Sequence, residues 1–251
     1  MVNTQPNLQQ VQLVGSTIMV SQDLFDISES GSQQTLGDFV RTADGRGFRY
    51  AYAGGTALVA GNLLQSPAET TAHEGLSVAA AAIGSNQIVT TSTVTLTANQ
   101  YAFGYVAIQV TPDIGRIYPI QSHAAYTSAV ATINLNTNLD VALTTSSKIA
   151  LVMNPYYGVI QNPTTQTGCI VGVAVVPTPI NYYGWIQTRG IGNPLQQGTL
   201  SVGNDVVAST TTAGAVTIQV AGSSSVINAR VGIAAQTGTS TQCGPVFLQI
   251  D

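Results

Sequence analysis

Charge is what this sequence has least of. Only 7% of its residues are Asp, Glu, Lys or Arg, against ~25% in an ordinary soluble domain. The seven basic residues are scattered along the chain and the net charge is −4. Binding to nucleic acid requires a clustered basic patch that neutralises phosphates, and none exists. The nearest approach, Arg41, Arg46 and Arg49, is interrupted by Asp38 and Asp44 and reads as solvated turn charge. No apolar run reaches the length of a membrane-spanning helix, so no membrane partner is expected. The first ten residues, MVNTQPNLQQ, lack the basic and apolar regions of a signal peptide, so synthesis in the cytoplasm is expected.

The groups that enzymes activate are equally sparse. Lys148 is the only lysine and no glycine-rich loop precedes it, which excludes a P-loop. Gly45-x-Gly47 and Gly190-x-Gly192 lack the third glycine of a dinucleotide fingerprint. There is no G-x-S-x-G elbow. His73 and His123 are the only histidines and read as surface or turn residues. His73 adjoins Glu74, but neighbours on a strand point to opposite faces. Scattered Asp and Glu leave a carboxylate pair open. Cys169 and Cys243 have no metal-ligand spacing. They read as two free, partly buried thiols, with a disulfide as the alternative. The expectation is a protein with no catalytic residues, no cofactor and no metal.

Strands are what the chain has in abundance. In Tyr182–Leu200, Tyr183, Trp185 and Gln187 alternate with Gly184, Ile186 and Thr188 at the period of a pleated strand. Arg189 to Pro194 then reads as a break. An earlier aromatic strand, Phe48 to Tyr52, is followed by Gly54-Gly55 and by Leu58, Gly61 and Leu63. A second phrase also recurs, Val171-Gly172-Val173-Ala174 and Val231-Gly232-Ile233-Ala234. The order implies two tandem repeats. The interval from Gly61 to Val171 exceeds that from Gly198 to Val231 by about one small domain, and residues 75–155 fill it.

That segment reads as short strands rich in Ile, Val and Thr. Ser77–Ile83 is alanine-rich and compatible with a helical turn. Tyr101–Val110 reads as a strand with aromatics at 101, 103 and 105 on one face. Pro112-Asp113-Ile114-Gly115 reads as the turn of a hairpin returning through Arg116–Ser122. The fold class is therefore all-β. Residues 41–74 and 156–251 form one discontinuous short-stranded barrel or sandwich domain built from two tandem repeats, with a second β domain inserted at 75–155. Residues 1–40, rich in Gln, Ser and Asp, read as an N-terminal arm with little core of its own, the alternative being an edge strand plus a loop.

The phrases FRYAYAGGTALVAGNLLQSPA, VGVAVV, YYGWIQTRGIGNPLQQGTLSVGNDVVAS and VGIAAQTG…CGPVFLQID resemble structural proteins of tailed bacteriophages, the virion, head-decoration or capsid-cement proteins. The likeness covers residues 40–251. It rests on turn and strand signatures, not on catalytic ones. It implies an all-β homotrimer on the outside of an icosahedral head, partnered by the major capsid protein and located in the virion. The first 40 residues carry no match. Their apolar positions, Leu8, Val11, Leu13 and Ile18, are the candidate capsid contacts, with the VQLVGSTIMV stretch adding as a strand to a partner's edge. The competing reading is a fibre or adhesin module whose Tyr126, Tyr156, Tyr157, Tyr182 and Trp185 stack on host glycans. Against that reading, such aromatics commonly serve core packing and strand pairing.

Overall fold

The computed structural model describes residues 11–12, 23–29, 32–219 and 229–251. Nearly all regular structure is strand. The chain forms two compact units, Met1–Pro67 with Tyr156–Asp251, and Ala68–Pro155. The first unit begins with β1 (Val11–Gln12), β2 (Phe39–Thr42), β3 (Gly47–Ala53) and β4 (Leu63–Gln65). The second holds β5 (Leu76–Ser77), β6 (Gln87–Val89), β7 (Val94–Leu96), β8 (Tyr105–Ile108), β9 (Ile117–His123), β10 (Tyr126–Ala129), β11 (Thr132–Leu135) and β12 (Lys148–Val152). The first unit resumes with β13 (Tyr157–Gln161), β14 (Ile170–Ala174), β15 (Tyr183–Gly192), β16 (Asp205–Ala208), β17 (Val216–Ile218), β18 (Arg230–Ala234) and β19 (Val246–Gln249).

In the first unit, neighbours run β3-β13-β4-β14-β15, and β15 pairs again with β3, closing a five-stranded barrel. So narrow a barrel admits only modest side chains. Ala51, Ala53, Leu58, Leu64, Val159, Val171, Ala174 and Ile186 form its core. The aromatic residues on the same strands face outward. Phe48, Tyr50 and Trp185 form a separate cluster that Leu24 and Val40 cover.

That cover corrects the arm boundary. Leu24, 2% exposed, is a core residue. Ser28 exchanges backbone hydrogen bonds with Tyr183. The described residues between 23 and 40 thus belong to the barrel, because its outward aromatic face needs burial.

The strand expected to break at Arg189 continues to Gly192. The register of β15 against β3 shifts between Gln187 and Arg189, an irregularity of the kind that re-aims a strand. Arg189 still lies opposite Gly47 of β3, and Arg189–Gly192 pairs with β19. A second set follows in the order β15-β19-β18-β16-β17. A parallel bridge between Gln196 and Val216 links its far edge back to the chain leaving β15. The long strand is therefore shared between the two repeats.

The two sets match bond for bond. Gly61 N–H donates to Ala174 O at 2.8 Å, and Gly203 N–H to Ala234 O at 2.9 Å. Both glycines have φ of +84°, a conformation other residues rarely adopt. Ala174 N–H donates to Asn62 O, and Ala234 N–H to Asn204 O. Leu58 bridges Thr178, and Leu200 bridges Gly238. Core residues Leu58, Leu64, Val159, Val171, Ala174 and Ile186 are answered by Leu200, Val206, Val216, Val231, Ala234 and Val246.

The recurring VGVA and VGIA phrases are thus equivalent strands. Two other matches are corrected. The partner of Gly61 is Gly203, not Gly198. The aromatic phrases are not counterparts but pair with each other, Tyr52 opposite Tyr183 and Tyr50 opposite Trp185. Between β16 and β17 the second repeat has a short loop, residues 209–215. At the same place in the first repeat, between β4 and β13, the chain carries the whole second unit.

The second unit has the strand order β5-β12-β8-β9-β11-β6, and a bridge from Val78 to Thr90 joins its ends. β7 and β10 pair separately. The alanine-rich stretch is extended, with Ala81 bridged to Leu143, and is not a helical turn. Residues 101–104 form turns, and strand β8 begins only at Tyr105. Tyr101 is buried whereas Phe103, at φ +64°, is exposed, so the aromatics do not share a face. The hairpin between β8 and β9 turns at Pro112–Gly115, where the Tyr118 hydroxyl donates to Asp113.

Candidate functional site

Three adjacent strands of the second unit, β12 after Lys148, β8 and the first half of β9, are apolar on both faces. Inward, Val106, Ile108, Tyr118, Ile120, Ile149 and Leu151 build the core. Outward, one row runs Val152, Tyr105, Pro119, and the next runs Ala150, Ala107, Ile117. Ile117 is 61% and Val152 46% exposed. A sheet with one wet face ordinarily alternates apolar with polar residues. Strands apolar at nearly every position are ordinarily covered on both sides. Beside this face, Arg116 forms ion pairs with Asp113 at 3.4 Å and Asp140 at 2.6 Å. An exposed apolar face with a polar rim is the usual form of a protein–protein contact. The sequence reading missed it; the available signal was the lack of alternation in YVAI, IYPI and KIALV.

The aromatic residues considered for glycan stacking are placed differently. Trp185 is 1% exposed and packs edge-on against Tyr50 at 5.1 Å. It is a core residue. Tyr157 stacks on Tyr52 at 5.1 Å, and the Tyr52 hydroxyl donates to Asn181. The Tyr156 ring lies beside the Arg49 guanidinium at 5.6 Å. The Tyr126 hydroxyl accepts from the Thr132 N–H at 3.0 Å. A hydrogen bond to the Glu29 carboxylate pushes the Tyr182 hydroxyl pKa up. The structure brings Tyr156, Tyr157, Tyr182 and Trp185 into one unit but leaves Tyr126 in the other.

Of the candidate contact residues in the arm, Leu8, Leu13 and Ile18 lie outside the described residues. The backbone of Val11 pairs with Thr42 of the chain's own β2.

Both histidines are buried, which corrects the surface reading, while His73 does end a short 3-10 turn, Thr71–His73. They flank Tyr101. Its hydroxyl meets His73 Nδ1 at 2.5 Å, and its backbone N–H donates to His123 Nε2 at 3.0 Å. Burial holds the His73 pKa below its ordinary value, and His123 nearby lowers it further. No sequence signal marked this cluster, because His73 and His123 lie on separate elements. Cys169 and Cys243 are free but exposed, not partly buried. Among the described residues no three His, Cys, Asp or Glu side chains group as a metal site, and no helix is long and apolar enough to cross a membrane.

No family model, curated protein or solved structure matches this chain.

Proposed function

We propose that the chain is a non-enzymatic structural subunit of a tailed-bacteriophage virion, a decoration or cement protein bound to the outer face of the head. It acts as a homotrimer on the lattice of the major capsid protein and stiffens the shell by bridging neighbouring subunits. One observation carries this reading. Among the described residues sixteen large apolar side chains stand exposed, on a chain with only 7% charged residues. Such a surface has little electrostatic repulsion to keep copies apart and much apolar area to bury on association. The resemblance of residues 40–251 to head-decoration proteins supplies the kind of assembly.

The fibre or adhesin reading has less support, since Trp185 is core and the four tyrosines are engaged by their own chain. Quantitative mass spectrometry of purified particles tests the assignment. Decoration requires copies in proportion to capsid subunits. Copies in proportion to a few attachment points mean a fibre, and absence from the particle overturns both readings.

A further inference from the structure

We infer that the outward face of β12, β8 and β9 in the second unit is the surface through which copies of this chain bind one another. This rests on the reading above that the chain works as an assembly subunit, and it names the surface and the partner.

The chemistry of the face favours a second copy. Its two rows, Val152–Tyr105–Pro119 and Ala150–Ala107–Ile117, hold no charge and no side-chain amide. Lys148, at one end of β12, is the only charged residue on the three strands, and its ammonium already binds the Ser77 hydroxyl. A carbohydrate or a nucleic acid would find few polar groups on these rows. A second copy brings the same neutral surface and meets no opposing field.

The relief is self-complementary as well. Ala107 and Ala150 form a low strip beside the tall Tyr105 and Val152, so the ridge of one copy fits the trough of another. Packed sheet faces approach to about 10 Å through such interdigitation. The rim adds charge complementarity. Arg116 and Asp140 lie side by side and both are more than half exposed. A second copy brings the same two signs, so each charge can find its opposite across the rim. Apolar centre with polar rim is the usual anatomy of a specific interface.

The full chain, measured by light scattering and sedimentation, tests this directly. The wild type is expected at a multiple of 25.9 kDa, and the Ile117→Asp, Val152→Asp double variant at the single-chain mass. Both side chains are largely exposed, so circular dichroism of the variant should match the wild type. Val202→Asp, an exposed apolar position of the first unit, should keep the wild-type mass. An Ala150→Cys variant in a Cys169→Ser, Cys243→Ser background should cross-link between copies on oxidation. A wild type that stays monomeric, or a double variant that keeps the wild-type mass, overturns the inference. Co-sedimentation with particles is scored separately. A monomeric chain that still coats particles sinks this surface while leaving the decoration reading intact.

Discussion

Gln196 stands in the second repeat where Ala53 stands in the first. Ala53 N–H donates to Tyr182 O and Gln196 N–H donates to Gln242 O, each at 2.9 Å. The larger side chain is accommodated by two glycines. Gly238 takes the place of Thr178, and Gly244 that of Gly184. A Cβ on Gly238 would lie 1.8 Å from Gln196 Oε1, and one on Gly244 1.8 Å from Nε2. Gln196 is 1% exposed, and its carboxamide meets no hydrogen-bond partner among the described residues.

Gly238→Ala is therefore expected to destabilise the fold by ~1–3 kcal/mol through overpacking. Adding Gln196→Ala should recover most of that loss, since it removes both the clash and a buried unpaired amide. Chemical denaturation of the single and double variants measures the coupling. Additive losses would mean the glycines serve something other than Gln196.

Leu24→Ala should cost about 2–5 kcal/mol, the ordinary range for truncating a buried leucine. Leu24 closes the cluster over Phe48, Tyr50 and Trp185. Thermal unfolding of the variant checks this. A change within the scatter of exposed-site variants would return residues 23–40 to the status of a dispensable arm.

Replacing residues 68–155 by a short loop like residues 209–215 should leave the first unit folded. That loop already does the equivalent job in the second repeat. The test is cooperative unfolding of the shortened chain with a strand-type circular dichroism spectrum. A chain that fails to fold would show that the barrel depends on the second unit.

The second unit should lose stability in mild acid. Burial holds the His73 pKa below its ordinary 6.5, so the unfolded chain takes up the proton more readily than the folded one. The stability is fully present above about 6.5 and is lost as pH falls below that value. A protonated His73 also could not accept from the Tyr101 hydroxyl at Nδ1. Melting temperature followed from neutral to acid pH should fall more for the wild type than for His73→Gln. Parallel curves would contradict this.

The all-β class was legible because strand periodicity, turn residues and the scarcity of helical patterns agree along the chain. The VGVA and VGIA strands were legible as repeats because both place a glycine and small apolar residues between equivalent neighbours, β4 and β15 for one and β16 and β19 for the other. The shared strand was not. The boundary between repeats falls inside Tyr183–Gly192, so its first half looked like a counterpart of β3 when it is a partner. Leu24 carried no periodicity, and only the outward aromatic face explains its burial. The apolar face of the second unit was written in the strands themselves. Its meaning depended on knowing that Val106 and Tyr118 point in while Tyr105 and Ile117 point out.

A cryo-EM map of the intact particle whose genome encodes this chain tests the central claim most directly. The decoration reading predicts density for the five-stranded barrel and its inserted unit repeated across the outer surface of the head, three copies to a site, with the β12-β8-β9 faces turned toward one another. A head surface bare of this density, or density only on a tail or fibre, would contradict it.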